Sequence, residues 1–133
     1  MTDYLENKET KIKVLIVEDD RFLRELLIRK LEGQGFIIST AVEGKEVLSK
    51  AKEELPQLIL LDLILPGIDG FEVLKQIKED SQINKIPVII LSNLGQQEEV
   101  EKGLKLGAAD YLVKAHFTPD EIIGKIKEVL GKS

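Results

Sequence analysis

Residues 58–77 read LILLDLILPGIDGFEVLKQI and hold the pattern that decides the fold. The first four residues are continuously apolar, which is typical of a strand covered on both faces of a parallel sheet. A turn-forming segment with one proline and two glycines follows. Phe71, Leu74 and Ile77 then recur at helical spacing, so the stretch predicts a strand–loop–helix unit with Asp62 at the carboxyl end of its strand.

The same unit recurs along the chain. Four further apolar runs predict strands, at 14–17, 36–38, 88–91 and 111–113. The run at 36–38 turns polar quickly, which indicates an edge strand. Four further helices are marked by Leu23, Leu26, Leu27 and Leu31, by Val47, Ala51 and Leu55, by Val100 and Leu104, and by Ile122, Ile123, Ile126, Val129 and Leu130.

Two kinds of signal predict where helices begin and end. The segment Thr118-Pro119-Asp120-Glu121 has a capping-box pattern with proline at the first helical position, so the fifth helix should begin there. Gly33 and Gly107 stand where the first and fourth helices should end.

Five strand–helix units in succession predict an α/β fold, with a parallel sheet and helices on both faces. The smallest doubly wound arrangement is a (βα)5 sheet with strand order 2-1-3-4-5. Ligands of such sheets bind outside the carboxyl ends of the strands, where the strand order reverses between strands 1 and 3. The residues that directly follow each apolar run are therefore the candidates for chemistry.

Composition narrows the function classes. The 133 residues fit one domain. The formal net charge is −5 and the sequence has no run of basic residues, so we expect no direct contact with nucleic acid. Cysteine is absent, which excludes disulfides and thiolate metal sites. The polar start is no secretory signal, and no apolar run approaches the ~20 residues of a membrane helix. We predict a flexible tail at 1–10, a domain at 11–133, and a cytoplasmic protein that binds no membrane.

The strand ends carry an unusual set of polar side chains. Glu18 and Asp19 follow the first strand, Asp62 the third, Ser92 the fourth and Lys114 the fifth. Each alone has an ordinary structural explanation, such as capping the next helix. Converging at one sheet edge, the carboxylates would repel each other unless a hard cation such as Mg²⁺ joined them. A carboxylate nucleophile, a metal, a hydroxyl and an ammonium are the groups that phosphoryl transfer requires.

The residues that carry these groups resemble a known family. Val14–Asp19 (VLIVED), Leu60–Gly70 (LLDLILPGIDG), Ser92 and the segment DYLVK ending at Lys114 are similar to the receiver domains of bacterial two-component response regulators. The resemblance spans about residues 11–131 and implies a flavodoxin-like fold.

The resemblance also implies a role for each site residue. Asp62 would accept the phosphoryl group, Lys114 and Ser92 would bind its oxygens, and Tyr111 would turn inward with Ser92 as a switch. Mg²⁺ would be held by Asp19, Asp62, the backbone carbonyl of Ile64 and, through water, Glu18. The family's proline after the lysine is replaced here by Ala115-His116-Phe117. A cis bond before Ala115 would cost ~3 kcal/mol more than a trans bond, which favours a trans bond and a differently shaped loop but leaves the conformation of the Lys114–Ala115 bond open.

The resemblance also leads to expectations about the partners of the protein. The phosphodonor would be a sensor histidine kinase or a histidine phosphotransfer protein, and a downstream effector protein would bind the face formed by helix 4, strand 5 and helix 5. We predict a monomer or transient dimer that is a switch and not a turnover enzyme, with no output domain after helix 5.

Because the side chains of Ile64 and Leu94 are apolar, neither can orient an attacking water, and the phosphoryl group should be lost slowly. We expect Asn93 to narrow access to the phosphate, and we assign no role to His116.

Three alternatives stay open at this point. The chain could be a receiver excised from a longer regulator, which the sequence does not distinguish from a free-standing protein. A haloacid-dehalogenase-like phosphatase also uses an aspartate after a parallel strand, but it needs a second aspartate where Ile64 stands. A flavin carrier of the same fold would want a phosphate-binding loop where Glu18, Asp19 and Asp20 stand.

Overall fold

The computed structural model describes residues 11–131, so the tail predicted at 1–10 lies outside the described residues. Strands and helices alternate throughout this part of the chain. The strands are β1 (Lys13–Val17), β2 (Ile37–Ala41), β3 (Leu58–Leu61), β4 (Val88–Ser92) and β5 (Asp110–Val113). The helices are α1 (Arg21–Glu32), α2 (Gly44–Glu54), α3 (Gly70–Glu79), α4 (Gln97–Lys105) and α5 (Pro119–Val129), with a 3₁₀ turn at Lys114–His116.

The strands form one sheet in which every neighbouring pair is parallel. Their order is β2-β1-β3-β4-β5, which confirms the predicted topology and the place of β2 at an edge. The order reverses between β1 and β3, whose register pairs Val17 with Leu61. The residues that follow these two strands are therefore neighbours.

Apolar side chains cover both faces of the sheet, because successive strand residues point to opposite sides. Leu15 packs in a cluster with α2, α3 and α4, whereas its neighbour Ile16 packs in a second cluster with α1 and α5. This two-sided burial explains why β1, β3 and β4 are continuously apolar.

The predicted helix ends are confirmed. The Thr118 hydroxyl accepts the Glu121 N–H at 3.1 Å, and the Glu121 carboxylate accepts the Thr118 N–H at 2.8 Å. The first helix ends at Glu32, directly before Gly33, and Gly107 follows the end of the fourth with a φ of 110°.

Two apolar positions were predicted wrongly. Leu55 does not lie on the buried face of α2, because the helix ends at Glu54 and Leu55 turns outward in the left-handed region, with φ 46°. Leu104 is 46% exposed, and the residue that α4 buries is Gly103. Helical spacing alone did not indicate which side of α4 faces the sheet.

No helix within residues 11–131 combines the length and the apolar character needed to cross a membrane.

Candidate functional site

The predicted strand-end residues meet at the carboxyl edge of the sheet. Backbone hydrogen bonds continue past the strands and fix two of them, because the Glu18 N–H donates to Ala41 at 3.2 Å and the Asp62 N–H donates to Val17 at 2.9 Å. The side chains of Glu18 and Asp62 are buried, and that of Ser92 is fully buried. These polar side chains are as buried as the apolar residues of the core, and such burial is unusual for carboxylates.

Both oxygens of the Asp62 carboxylate have partners. Oδ1 accepts the backbone N–H of Ile64 at 3.1 Å, and Oδ2 accepts from Lys114 Nζ at 2.9 Å. The first contact comes from the loop after β3 and the second from the residue after β5. Two separate elements therefore fix the orientation of this carboxylate.

Lys114 joins the two buried carboxylates. Its Nζ lies 3.0 Å from Glu18 Oε1 and 2.9 Å from Asp62 Oδ2. Burial opposes the charge on this ammonium, but the hydrogen bonds to Asp62 and Glu18 outweigh it and raise the pKa of Lys114. The Lys114–Ala115 peptide bond, whose conformation the sequence left open, is trans, and the 3₁₀ turn that begins at Lys114 leaves the ammonium directed at the site.

Glu18 is held at both its backbone and its side chain. Its Oε2 accepts the Asp20 N–H at 3.0 Å, and its backbone carbonyl accepts from the Arg24 guanidinium at 2.8 Å. Burial, followed by repulsion from Asp62, raises the pKa of Glu18 to about 7. The contact of Arg24 was not predicted; a basic residue on the first helix, six positions after Glu18, was the only signal in the sequence.

The site has the oxygen donors that suit a hard divalent cation. Glu18, Asp19 and Asp62 each offer a carboxylate oxygen, and these oxygens all lie within 4.8 Å of one another. Asp19 is exposed, so the group opens to solvent on one side. Mg²⁺ prefers such carboxylate oxygens and keeps several waters, and three carboxylates face the single ammonium of Lys114. The donor set therefore fits Mg²⁺.

The raised pKa of Glu18 predicts a pH-dependent stability. A carboxyl group whose folded pKa of about 7 exceeds its reference value of 4.5 stabilises the fold at low pH, and this contribution is lost as the pH rises through that range. In metal-free buffer, we expect the unfolding free energy of the wild type, relative to Glu18→Gln, to fall by about 2 kcal/mol between pH 5 and 8. Urea unfolding measures this difference.

A matched control is Glu53→Gln, which removes an exposed carboxylate from α2. Its stability difference from the wild type should stay nearly constant over the same pH range. If Glu18→Gln behaves in the same way as this control, the burial and repulsion assigned to Glu18 are contradicted.

Ser92 and Tyr111 are connected through the loop that follows β4. The Ser92 hydroxyl accepts the Leu94 N–H at 3.3 Å, and the Tyr111 hydroxyl donates to the Leu94 carbonyl. The Tyr111 ring lies inward and is buried, in the position that the resemblance associates with the switched form. Its rotation therefore stays a prediction. Burial, with repulsion from Glu99 and Asp62, raises the pKa of Tyr111 to about 12.

Gly67, in the loop after Asp62, and Gly70, at the start of α3, both shape this segment. Gly67 follows Pro66 and has a φ of 90°, a combination typical of a type II turn. A Cβ on Gly70 would lie 2.4 Å from the Leu63 Cα, and the Gly70 N–H donates to the Leu63 carbonyl at 3.0 Å. The start of α3 is thereby packed directly on the residue next to Asp62.

The remaining sequence candidates lie at the margin of the site. Asp20 caps α1 by accepting the Leu23 N–H at 3.2 Å, which confirms its structural explanation. Asn93 and Ile64 are exposed, and Leu94 is partly buried against the core. The backbone carbonyl of Ile64 as a metal ligand stays a prediction.

Comparison with known proteins identifies the family. The sequence pattern described as "Response regulator receiver domain" matches residues 14–127. The chain belongs to this family. Its membership argues against the phosphatase and the flavin carrier as alternatives.

Relatives and solved structures agree with this assignment. The chain is 36% identical over 121 residues to the phosphate regulon transcriptional regulatory protein PhoB of Rhizobium meliloti, covering 91% of this chain and 53% of that protein. The chemotaxis response regulator CheY4 of Vibrio cholerae is 31% identical, with a TM-score of 0.83 over 90% of this chain and 99% of that one. The Mn²⁺-bound response regulator Rcp1 is 27% identical, with a TM-score of 0.77 over 88% and 92%.

The chain spans about half the length of the transcriptional regulators that it matches. A receiver that belongs to a longer regulator is therefore consistent with these relatives.

Proposed function

We propose that Asp62 accepts a phosphoryl group from a phosphohistidine and that this reaction depends on Mg²⁺. The observation that carries the proposal is the buried Asp62 carboxylate, held by Lys114 and the Ile64 N–H beside Glu18 and Asp19. An Asp62 oxygen would form a bond to phosphorus while the bond from phosphorus to the donor's imidazole nitrogen breaks. The domain at 11–133 thus catalyses its own modification and is not a turnover enzyme.

Each residue of the site has a part in this reaction. Glu18, Asp19, Asp62 and the Ile64 carbonyl would hold Mg²⁺, which when bound neutralises charge on the carboxylates and on phosphoryl oxygens. Lys114 is within reach of any group attached to Asp62 and would pair with one phosphoryl oxygen. The Ser92 hydroxyl would donate to another, since its present role as an acceptor leaves its proton free.

The signal would pass from Ser92 to the face formed by α4, β5 and α5. If Ser92 turns to a phosphoryl oxygen, its contact with the Leu94 N–H is lost and the loop at Leu94 shifts, which would favour the inward Tyr111 ring that the resemblance associates with the switched form. A phosphoryl group carries a charge of about −2 and creates new hydrogen bonds, which is sufficient to shift the balance between two conformations of the Leu94 loop and Tyr111. The phosphodonor would be a sensor histidine kinase or a histidine phosphotransfer protein. The output would be contact with a protein effector, and this domain would not contact DNA directly.

Incubation with a small phosphodonor tests this proposal. With acetyl phosphate and Mg²⁺, we expect the intact mass of the protein to increase by one phosphoryl group, because Asp62 and its donors are already positioned. With a chelator in place of Mg²⁺, we expect little or no increase. An equal increase in both reactions would contradict the metal dependence, and none in either would contradict the proposed function.

The phosphoryl group should be lost slowly once attached. Ile64 is 53% exposed beside Asp62 and presents no polar atom on its side chain, so it cannot orient an attacking water. We expect a lifetime of minutes or longer, and a roughly tenfold faster loss in Ile64→Asn, equivalent to about 1.4 kcal/mol of barrier. Decay of the intact mass after removal of phosphodonor measures both. Loss within seconds from the wild type would refute this prediction.

A further inference from the structure

Helix α4 packs on the sheet with a glycine. Gly103 is its buried residue, and a Cβ at this position would lie 2.6 Å from Ile90 Cδ1 and 2.8 and 3.0 Å from Cδ2 and Cε2 of Tyr111. Favourable contacts between carbon atoms occur at about 3.5–4.0 Å, so even a methyl group does not fit while the ring stays in place. The Tyr111 ring occupies part of the space that a side chain at position 103 would fill.

The ring is confined on its other sides as well. Ile90 and Tyr111 are paired residues of β4 and β5, so their Cα atoms are fixed next to each other. The Tyr111 hydroxyl donates to the Leu94 carbonyl, which holds the far end of the ring. Rotation about the Cβ–Cγ bond moves Cδ2 and Cε2 but leaves the ring between Gly103 and Ile90, so full relief of a clash at Gly103 requires the ring to swing out.

The helix itself is anchored beside Gly103. Lys102 Nζ lies 4.4 Å from the centre of the Phe71 ring on α3, a cation–π contact. At the start of α4, Gln96 and Glu99 form a capping box. Since α4 is held at its neighbouring residue and at its beginning, an added side chain displaces the ring more readily than the helix.

We propose that Gly103 is the positioning residue for Tyr111: its missing side chain admits the ring to the inward position, and any larger residue there drives the ring toward solvent. This assignment stands on packing alone. Its consequence for signalling rests on the proposed function: Gly103→Ala alters binding of the effector while leaving phosphorylation of Asp62 intact, because the atoms nearest an added Cβ belong to Ile90 and Tyr111 and not to the acidic site.

Tyrosine fluorescence tests the proposal directly. The chain has two tyrosines and no tryptophan, so Tyr4→Phe makes Tyr111 the only tyrosine. In this background we compare Gly103→Ala with Gly124→Ala, a helical glycine of α5 with nothing within 4 Å of an added Cβ. We expect acrylamide to quench Tyr111 several-fold more strongly in Gly103→Ala and equally in Gly124→Ala and the background. A folded Gly103→Ala with background quenching overturns the proposal.

The absorbance of tyrosinate gives a second reading of the same variants. An outward ring is solvated, so the pKa of Tyr111 should fall from about 12 in the background toward about 10 in Gly103→Ala. Glu99 and Asp62, which also raise this pKa, are present in every variant compared.

A double-mutant comparison covers the case in which Gly103→Ala folds poorly. We expect Gly103→Ala to lower the urea midpoint clearly when Tyr111 is present and much less in a Tyr111→Ala background, where only the flexible end of Ile90 opposes the added methyl group. Equal lowering in both backgrounds overturns the proposal. Failure of the wild type to take up phosphate would contradict the proposed function alone, because the quenching and urea results do not depend on phosphorylation.

Discussion

Asp62→Asn should abolish phosphorylation by acetyl phosphate in the presence of Mg²⁺. The amide has no nucleophilic oxygen of comparable strength, and it also removes one carboxylate from the group formed with Glu18 and Asp19. The fold should survive, because the amide oxygen can still accept the Ile64 N–H that now bonds Oδ1. We expect no measurable gain of a phosphoryl group by intact mass, a loss of at least about 10³-fold in rate.

Asp69→Asn is the matched control for this result. Asp69 lies in the same loop, is exposed and caps α3 by accepting the Phe71 N–H at 3.0 Å, a role that asparagine fills equally well. Asp69→Asn should be phosphorylated as fully as the wild type. Phosphorylation of Asp62→Asn at the wild-type level would remove Asp62 as the acceptor.

Gly70→Ala, at the first residue of α3, should cause a large loss of stability. The added Cβ would lie 2.4 Å from the Leu63 Cα and 2.7 Å from its carbonyl oxygen, both backbone atoms that side-chain rotation cannot move. Relief requires α3 to shift away from the loop that carries Asp62. We expect the unfolding free energy to fall by about 3 kcal/mol, measured by urea unfolding.

The control for this change is again Gly124→Ala, which adds the same methyl group where nothing opposes it. Alanine in a helix interior is favoured over glycine by about 1 kcal/mol, so this variant should be slightly more stable than the wild type. A Gly70→Ala protein as stable as the wild type would show that the approach of α3 to Leu63 is looser than the distances indicate.

The sheet and the site composition were predictable because both follow from local pattern. Continuous apolar runs identify buried parallel strands, and parallel strands place Glu18, Asp62 and Lys114 at one edge whatever the details of packing. The capped start of α5 at Thr118 is likewise a local signal.

What the sequence did not predict depends on contacts between distant elements. Gly103 reads as a weak helix residue until α4 is placed over Tyr111, and the outward turn of Leu104 follows from that placement. The Arg24 contact with the Glu18 carbonyl joins a helix to a loop across a buried edge. Such contacts are set by three-dimensional packing, which spacing along the chain does not encode.

The position of the phosphoryl group is the most direct test of the central claim. An acyl phosphate on an aspartate is reduced by borohydride to the side chain of homoserine, which peptide mass spectrometry can locate. After incubation with acetyl phosphate and Mg²⁺, we expect homoserine at position 62 and at no other acidic residue. Homoserine at position 19 or 20, or phosphate retained on His116, would contradict the assignment of Asp62 as the acceptor.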